Sequence, residues 1–479
     1  MERAKLAALL SSCVFALAGC NGSDERTSTV PDVPDTAPTA ARNVIFFLGD
    51  GMGITTLTAA RIYAVGESGD LTIDTLPESA FVKTYSNDAQ VTDSAPSMSA
   101  YMTGVKSNNE VIAMSTDTVA IEPTGGVGNC GANNGKPATT LLEIAKAKGL
   151  ATGVVTTTRV THATPAATYA HVCHRDAEND IAASLVPGGA GFNGALGDGV
   201  DVVLGGGKKF FVPKDADGKR GDGRNLVNEL KAKGYAFAQN RDDLLGADAI
   251  KSGKLVGLFD SDHMSYDLDR NAVKEPSLSE MTTRALDVLQ KNSKGYFLMV
   301  EGGRIDHALH NTNAKRALQD TVAFDDAIKA ALDKVRKTDP DLKNTLIVVT
   351  ADHDHTLVLN GYSARTGRTE AGKPGVLGVV HNYRDGAISK DADGAPYTII
   401  GFGNGEKRVQ GSRKGTELTD EVAGANDYHQ EAAIRMPPNN ETHGGTDVFL
   451  GAIGRGADTF HGVIENTRVF ELVRKAVQL

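Results

Sequence analysis

Tryptophan is absent from the 479 residues, aromatic side chains make up only 5%, and cysteine occurs four times. No internal apolar run approaches the roughly 18 residues of a membrane-spanning helix, so the body of the chain is not a bundle of spans. Long basic runs are missing too, and with a net charge of −10 this excludes a nucleic-acid partner held by counterion release. No internal repeat is present. What remains is the composition of a soluble globular protein, 40% hydrophobic and 23% charged, with 53 glycines that imply many tight turns. The length allows one large α/β domain or two domains, with a sizeable core in either case.

The N-terminal segment stands apart. MERAK is a short basic head and LAALLSSCVFALAG a short apolar stretch, which is the pattern of a secretory signal. Leu17, Ala18, Gly19 and Cys20 resemble the lipobox of bacterial lipoproteins, where cleavage before the cysteine leaves a lipidated N-terminus. The expectation is a signal peptide over residues 1–19, against the alternative of an ordinary signal cut slightly later. Residues 20–41 then form a lipidated cysteine and a disordered tether, rich in Ser, Thr, Pro and Asp without periodicity. The protein is expected to be exported and lipid-anchored to a bacterial membrane through Cys20, in the periplasm or at the cell surface. Export places the other thiols in an oxidising compartment, so Cys130 and Cys173 are expected to pair as a disulfide rather than remain two buried free thiols.

Residues 42–479 alternate short apolar runs with amphipathic segments such as TTLLEIAKAKG. NVIFFL precedes GDGMG, ATGVVTTT precedes RVTHATP, YFLMV precedes EGGRIDH, and NTLIVVT precedes ADHDH. Such runs are buried strands of a mostly parallel sheet flanked by helices, which sets the fold class as α/β. Each polar cluster follows its run and so falls at the carboxyl end of a strand, the edge at which open α/β sheets bind ligands. From about 360 to 441 the chain is rich in Gly and charge with weak periodicity, and reads as a crown-like excursion above that edge.

The strand-end clusters supply Asp50; Glu301, Asp306 and His310; and Asp352 and His353, and His443 follows in ETHGG. On a helix Asp306 and His310 share one face and can hold one ion. Mixed Asp/His ligation suits zinc, whereas carboxylate and hydroxyl oxygens suit magnesium or manganese. Any one of these acids could be a helix cap or turn former. Six acids and histidines at one sheet edge, however, would repel and lose solvation unless cations sat among them.

Together with Ser94 these clusters give a sequence that resembles the metal-dependent alkaline phosphatases. GDGMG (49–53), TDSAPSMSAYMTG (92–104), VTTTRVTHATPAATYAH (155–171), EGGRIDHALH (301–310), TADHDHT (350–356) and ETHGGTDV (441–448) occur in that family's order. The resemblance implies a phosphomonoester hydrolase with two zinc ions and one magnesium-type ion. Ser94 matches the nucleophile that becomes phosphorylated and Arg175 the phosphate-clamping arginine, positioned by Asp93. Asp306, His310 and His443 match ligands of the first zinc, and Asp50, Asp352 and His353 those of the second. Asp50, Thr164 and Glu301 match the third site. A homodimer is also implied, with the excursion packing across its interface. Ser94 stands before Ala95 and Pro96 at an expected helix start, which would turn backbone N–H groups toward a bound phosphate.

Two positions vary within that family, and this chain carries histidine at both, His162 and His307, resembling animal and some marine bacterial members. A direct His162 ligand would favour zinc at the third site over the expected magnesium, and His307 is expected to reach phosphate through water. His171, His174, His263, His355, His381, His429 and His461 receive no ligand role and read as surface or packing residues. Asp260 and Glu275 fall where relatives carry a structural calcium, but the loop after Phe211 is short and no calcium is expected. The alternatives to a broad-range monoesterase are a phosphodiesterase or sulfatase relative sharing the metal core, and a non-catalytic phosphate-binding lipoprotein.

Overall fold

A computed structural model of the chain describes residues 43–246, 251 and 253–479; the expected signal peptide, Cys20 and tether lie outside the described residues. The strands in chain order are β1 (Asn43–Gly49), β2 (Glu78–Lys83), β3 (Ala151–Arg159), β4 (Val202–Gly206), β5 (Ala236–Ala238), β6 (Leu255–Leu258), β7 (Tyr296–Gly302) and β8 (Thr345–Ala351). They continue with β9 (Asp354–His355), β10 (Leu357–Leu359), β11 (Ile400–Gly405), β12 (Ala432–Arg435), β13 (His443–Gly444), β14 (Val448–Gly454) and β15 (Gly462–Glu465).

Ten of these build one sheet in the order β15-β2-β14-β8-β1-β7-β3-β4-β6-β5. Every pairing is parallel except those of β14, which runs antiparallel to β2 and β8. The expected mostly parallel α/β architecture is therefore the observed one. Strands β7 and β8 are buried along their whole length and β1 along all but its first residue. Burial on both faces is why these runs read as continuous apolar stretches rather than alternating ones. Helices pack over the sheet, among them Leu278–Leu289 and Ala314–Val335, whose apolar positions face inward. Among the described residues no helix is long and apolar enough to cross a membrane.

Register positions the functional edge. In the parallel ladders Gly49 of β1 pairs with both Gly302 of β7 and Ala351 of β8, while Thr156 of β3 pairs with Glu301. Asp50 and Asp352 therefore leave the sheet at one level, with Glu301 one residue below it. The four motif-bearing strands β8, β1, β7 and β3 are consecutive neighbours, so their clusters converge.

The Gly-rich excursion carries a small three-stranded sheet, β10-β11-β12, that its weak periodicity did not announce. Its return is pinned by the short antiparallel pair of β13 with β9, which sets His443 opposite His355.

Candidate active site

The helix Arg304–His310 follows β7 directly, and its turn brings Asp306 and His310 onto one face. His310 Nε2 lies 3.3 Å and His443 Nε2 3.5 Å from Asp306 Oδ1, and the two imidazole nitrogens are 3.2 Å apart. Ligand atoms around a tetrahedral zinc with bonds of about 2.0–2.1 Å stand about 3.3 Å apart, so this triangle fits such an ion. The tautomers fit as well. His310 Nδ1 donates to the Glu441 carbonyl and His443 Nδ1 to the Thr92 carbonyl, which leaves both Nε2 lone pairs facing inward. His355 is close enough to be counted with these three residues. Its Nε2 meets Asp306 Oδ1 at 2.8 Å and its Nδ1 meets Glu441 Oε2 at 2.5 Å, so both nitrogens are engaged by carboxylates and neither is free to ligate. Burial opposes charge on this ring, but Glu441 and Asp306 raise its pKa well above the ordinary histidine value.

A second set lies beside the first. His353 Nε2 is 3.4 Å from Asp50 Oδ1, 3.4 Å from Asp352 Oδ2 and 3.2 Å from Ser94 Oγ, and Ser94 Oγ is 3.4 Å from Asp50 Oδ1. His353 Nδ1 faces the Asp354 carbonyl at 3.2 Å, again turning the Nε2 lone pair inward. Asp352 Oδ2 is buried with no hydrogen-bond partner. These separations also suit a tetrahedral ion.

A third set is all oxygen. Thr164 Oγ1 is 3.3 Å from Asp50 Oδ2, and Glu301, whose Oε2 takes the hydroxyls of Thr156 and Thr158, leaves Oε1 buried and unpartnered. Oxygen donors of this kind suit a hard cation. Burial, with repulsion from Asp306, pushes Asp50 up to about 7; burial and Asp50 push Asp352 up to about 7 and Glu301 well above the carboxylate range. Carboxylates buried this closely resist ionisation, and positive charge among them reverses that resistance. The residues present thus fit two ions with mixed nitrogen and oxygen ligands and a third among the oxygens of Asp50, Thr164 and Glu301, beside which a His162 nitrogen also lies.

Ser94 opens the buried helix Ser94–Thr103, capped by Asp93. Asp93 acts both as a cap and as a positioning group: Oδ1 accepts from the Ala95 N–H at 2.6 Å and from Arg175 Nη1 at 3.0 Å, and Oδ2 accepts from the Glu110 N–H. The helix starts at Ser94 as expected, and this bears on two positions of its first turn. The Ala95 N–H is committed to Asp93 and Pro96 has none, so those two amides do not face a bound anion. Arg175 lies beside this helix start, its charge opposed by burial but held by Asp93 and Glu110. Its Nη2 contacts His162 Nε2 at 3.0 Å. The disulfide Cys130–Cys173, with Cα atoms 5.6 Å apart, anchors the chain two residues before Arg175, as expected.

His162 and His307 face each other with ring centroids 5.4 Å apart, and His263 closes a trio at 4.2 Å from His307. His162 also lies close to Asp50 and Glu301. Burial, with Arg175 nearby, depresses His162 far below the ordinary value, and burial with Arg304 brings His307 down to about 3. Arg304 donates to His307 Nδ1 at 3.1 Å.

Sequence reasoning missed His355 and His263, both read as surface or packing residues. For His355 a signal was present: it alternates with His353 in ADHDH, so both rings leave one face of the same extended segment. Nothing local marks His263, which arrives from the distant loop after β6. His171 and His381 are taken up by Glu143 and Asp420, and His461 by its own turn. His174 groups with Glu122 and Asp176. Its Nδ1 accepts the Asp176 N–H at 3.1 Å, however, so Nε2 carries the hydrogen and has no lone pair for a metal. Asp260 and Glu275 accept the backbone N–H groups of Asp262 and Ser265.

Fold and site together define a class: an α/β enzyme with a mostly parallel sheet, whose strand-end carboxylates and imidazoles gather around one serine in sets that could hold metal ions. The chain belongs to the alkaline phosphatase family, whose description matches residues 41–479. It is 39% identical over 460 residues to the tissue-nonspecific alkaline phosphatase isozyme of Rattus norvegicus, covering 90% of this chain and 82% of that one. It is 38% identical over 459 residues to an alkaline phosphatase of Gadus morhua, covering 90% of each. The crystal structure of Thermus thermophilus alkaline phosphatase superposes with a TM-score of 0.66 at 27% identity, covering 92% of each chain. That of the cold-active enzyme from Shewanella sp. superposes at 0.61 and 26%, covering 91% and 99%.

Proposed function

We propose that the chain is a broad-range phosphomonoester hydrolase that works through a phosphoserine at Ser94 with two zinc ions and a third, magnesium-type ion. The observation that carries this reading is the position of Ser94 Oγ, 3.2 Å from His353 Nε2 and 3.4 Å from Asp50 Oδ1, beside the unpartnered Asp352 Oδ2. Asp306, His310 and His443 would hold one zinc, Asp50, Asp352 and His353 the other, and Asp50, Thr164 and Glu301 the third ion. Bound zinc supplies Lewis-acid stabilisation of negative oxygen at both ends of an in-line displacement.

The protein's own part is positioning. Ser94 Oγ attacks phosphorus in line as the ester alkoxide leaves, the serine proton passing through solvent to that alkoxide. Water then attacks from the side the alkoxide vacated, gives a proton back to Ser94 Oγ, and releases phosphate with overall retention. Arg175, braced by Asp93, holds two phosphoryl oxygens in its planar fork, which a lysine cannot do. Neutral His162 and His307 border that pocket as hydrogen-bond donors or water anchors. Recognition is spent on the phosphoryl group, which leaves the alcohol largely unspecified. Export, a lipid anchor on Cys20 and a homodimer complete the reading, supported by the N-terminal sequence pattern and the family membership.

The test is hydrolysis of p-nitrophenyl phosphate against bis-p-nitrophenyl phosphate, with metal analysis, for the protein and Ser94→Ala. Monoester activity dependent on Ser94 and on about two zincs supports the reading. Preference for the diester moves the assignment to a phosphodiesterase, and phosphate binding without turnover to a binding lipoprotein.

A further inference from the structure

Glu441 is a buried acid, 1% exposed, at the end of the excursion, and no role in the reaction is assigned to it above. Every polar function it has is spent on the first metal set or on that set's support. Its N–H donates to the His310 carbonyl at 3.2 Å, and its carbonyl accepts from His310 Nδ1. Its Oε2 meets His355 Nδ1 at 2.5 Å, while Oε1 accepts from the Thr356 N–H at 2.7 Å and from the Thr356 hydroxyl. His355 passes the contact on, with Nε2 2.8 Å from Asp306 Oδ1. His443 stands two residues further along the chain. One residue thus braces two of the three groups of the set through separate routes, one by its backbone and one by its side chain.

The geometry points to Glu441 as a positioning residue: its carboxylate orients His355 so that His355 holds Asp306 in place for a metal ion shared with His310 and His443. The inference rests on the reading of those three residues as a metal site. An imidazole flanked by two carboxylates donates a hydrogen to each and locks its ring plane, and Asp306 is then delivered in one rotamer. Partners of this kind, one bond removed from the ion, set ligand orientation, and their loss typically costs about 10- to 100-fold in metal affinity. Because His310 is braced by the Glu441 backbone, side-chain substitution at 441 leaves that second brace intact and isolates the route through His355.

The experiment compares the full chain with Glu441→Ala and Glu441→Gln, measuring bound zinc after dialysis and the rate of zinc loss to a chromogenic chelator. The absorption spectrum after cobalt(II) replacement and the melting temperature of each metal-free protein are recorded alongside. Expected is about 10- to 100-fold faster loss of one zinc in Glu441→Ala, with the second retained. Glu441→Gln, whose amide oxygen still accepts one hydrogen bond, falls between, the cobalt spectrum of the weakened site shifts, and metal-free melting stays close to that of the parent. Both zincs held at the parental rate by both variants would overturn the inference while leaving the metal reading intact. Equal weakening of both sites together with a lower metal-free melting temperature would reduce Glu441 to a packing role, which also overturns it. A parent chain that binds no zinc overturns the metal reading itself, and this inference with it.

Discussion

His310 Nε2 and His443 Nε2 face each other across 3.2 Å, each with its Nδ1 hydrogen committed to a backbone carbonyl. Two lone pairs at that distance repel, and Asp306 Oδ1 adds negative charge at 3.3 and 3.5 Å from them. A cation at the centre turns three repulsions into three attractions.

Removal of metal is therefore expected to lower the melting temperature, and added zinc to raise it again in proportion to the logarithm of free zinc. An ion present at a thousand times its Kd contributes about 4 kcal/mol. Differential scanning calorimetry before and after chelation measures this, and a transition that ignores both chelator and zinc contradicts the proposed ligand sets.

Asp352 gives a pH test with a definite sign. Its folded-state pKa is raised to about 7 from 3.8, by burial first and then by Asp50. In the metal-free protein the penalty for ionising it is absent below about pH 4, where the carboxyl is protonated in both folded and unfolded states, and is complete above about pH 7. Asp352→Asn should accordingly stabilise the metal-free protein at pH 8, by a few kcal/mol at most, and leave it unchanged at pH 4. In the metal-loaded protein the same substitution should destabilise. Thermal melts at the two pH values, with and without zinc, check all three signs.

Arg175 makes one contact with each arm of its fork, Nη1 to Asp93 and Nη2 to His162. Lysine keeps the charge and loses the fork, so kcat/KM of Arg175→Lys should fall about 10- to 100-fold, or about 1.4–2.7 kcal/mol of transition-state stabilisation. Inhibition by inorganic phosphate should weaken in parallel. Steady-state kinetics with phosphate as inhibitor measures both, and unchanged phosphate affinity would remove Arg175 from the clamp.

The Cys130–Cys173 bridge closes a loop across a sequence separation of 43. Its loss through Cys130→Ser and Cys173→Ser together should cost about 2–4 kcal/mol on denaturant unfolding. Because Arg175 follows Cys173 by two residues, phosphate affinity should drop as well. Reduced stability with unaltered phosphate binding would confine the bridge to a stabilising role.

Much of the site could be read without coordinates because strand ends and helix turns are local. NVIFFL followed by Asp50, and NTLIVVT followed by Asp352, announce a buried strand and then a polar turn within a dozen residues. The one-turn spacing of Asp306 and His310 places both on one helix face wherever that helix sits. Glu301 differed slightly: it falls inside β7 rather than after it, one residue below the row of Gly49, Gly302 and Ala351.

Residue types, their order and their positions at strand ends and on helix faces are legible in the primary structure, because hydrophobic periodicity and turn chemistry act over a few residues. That β8, β1, β7 and β3 are neighbours in register emerged with the packed chain, since hydrogen bonds between strands whose paired residues lie as far apart as Asn43 and Thr345 leave no local trace. The same holds for groups that serve the site from a distance. His263 comes from the far side of β4, and Glu441 arrives from the end of the excursion to meet His355, brought there by the pairing of β13 with β9. Their roles depend on which backbone and side-chain atoms happen to face them, and that is settled only when the whole chain is packed.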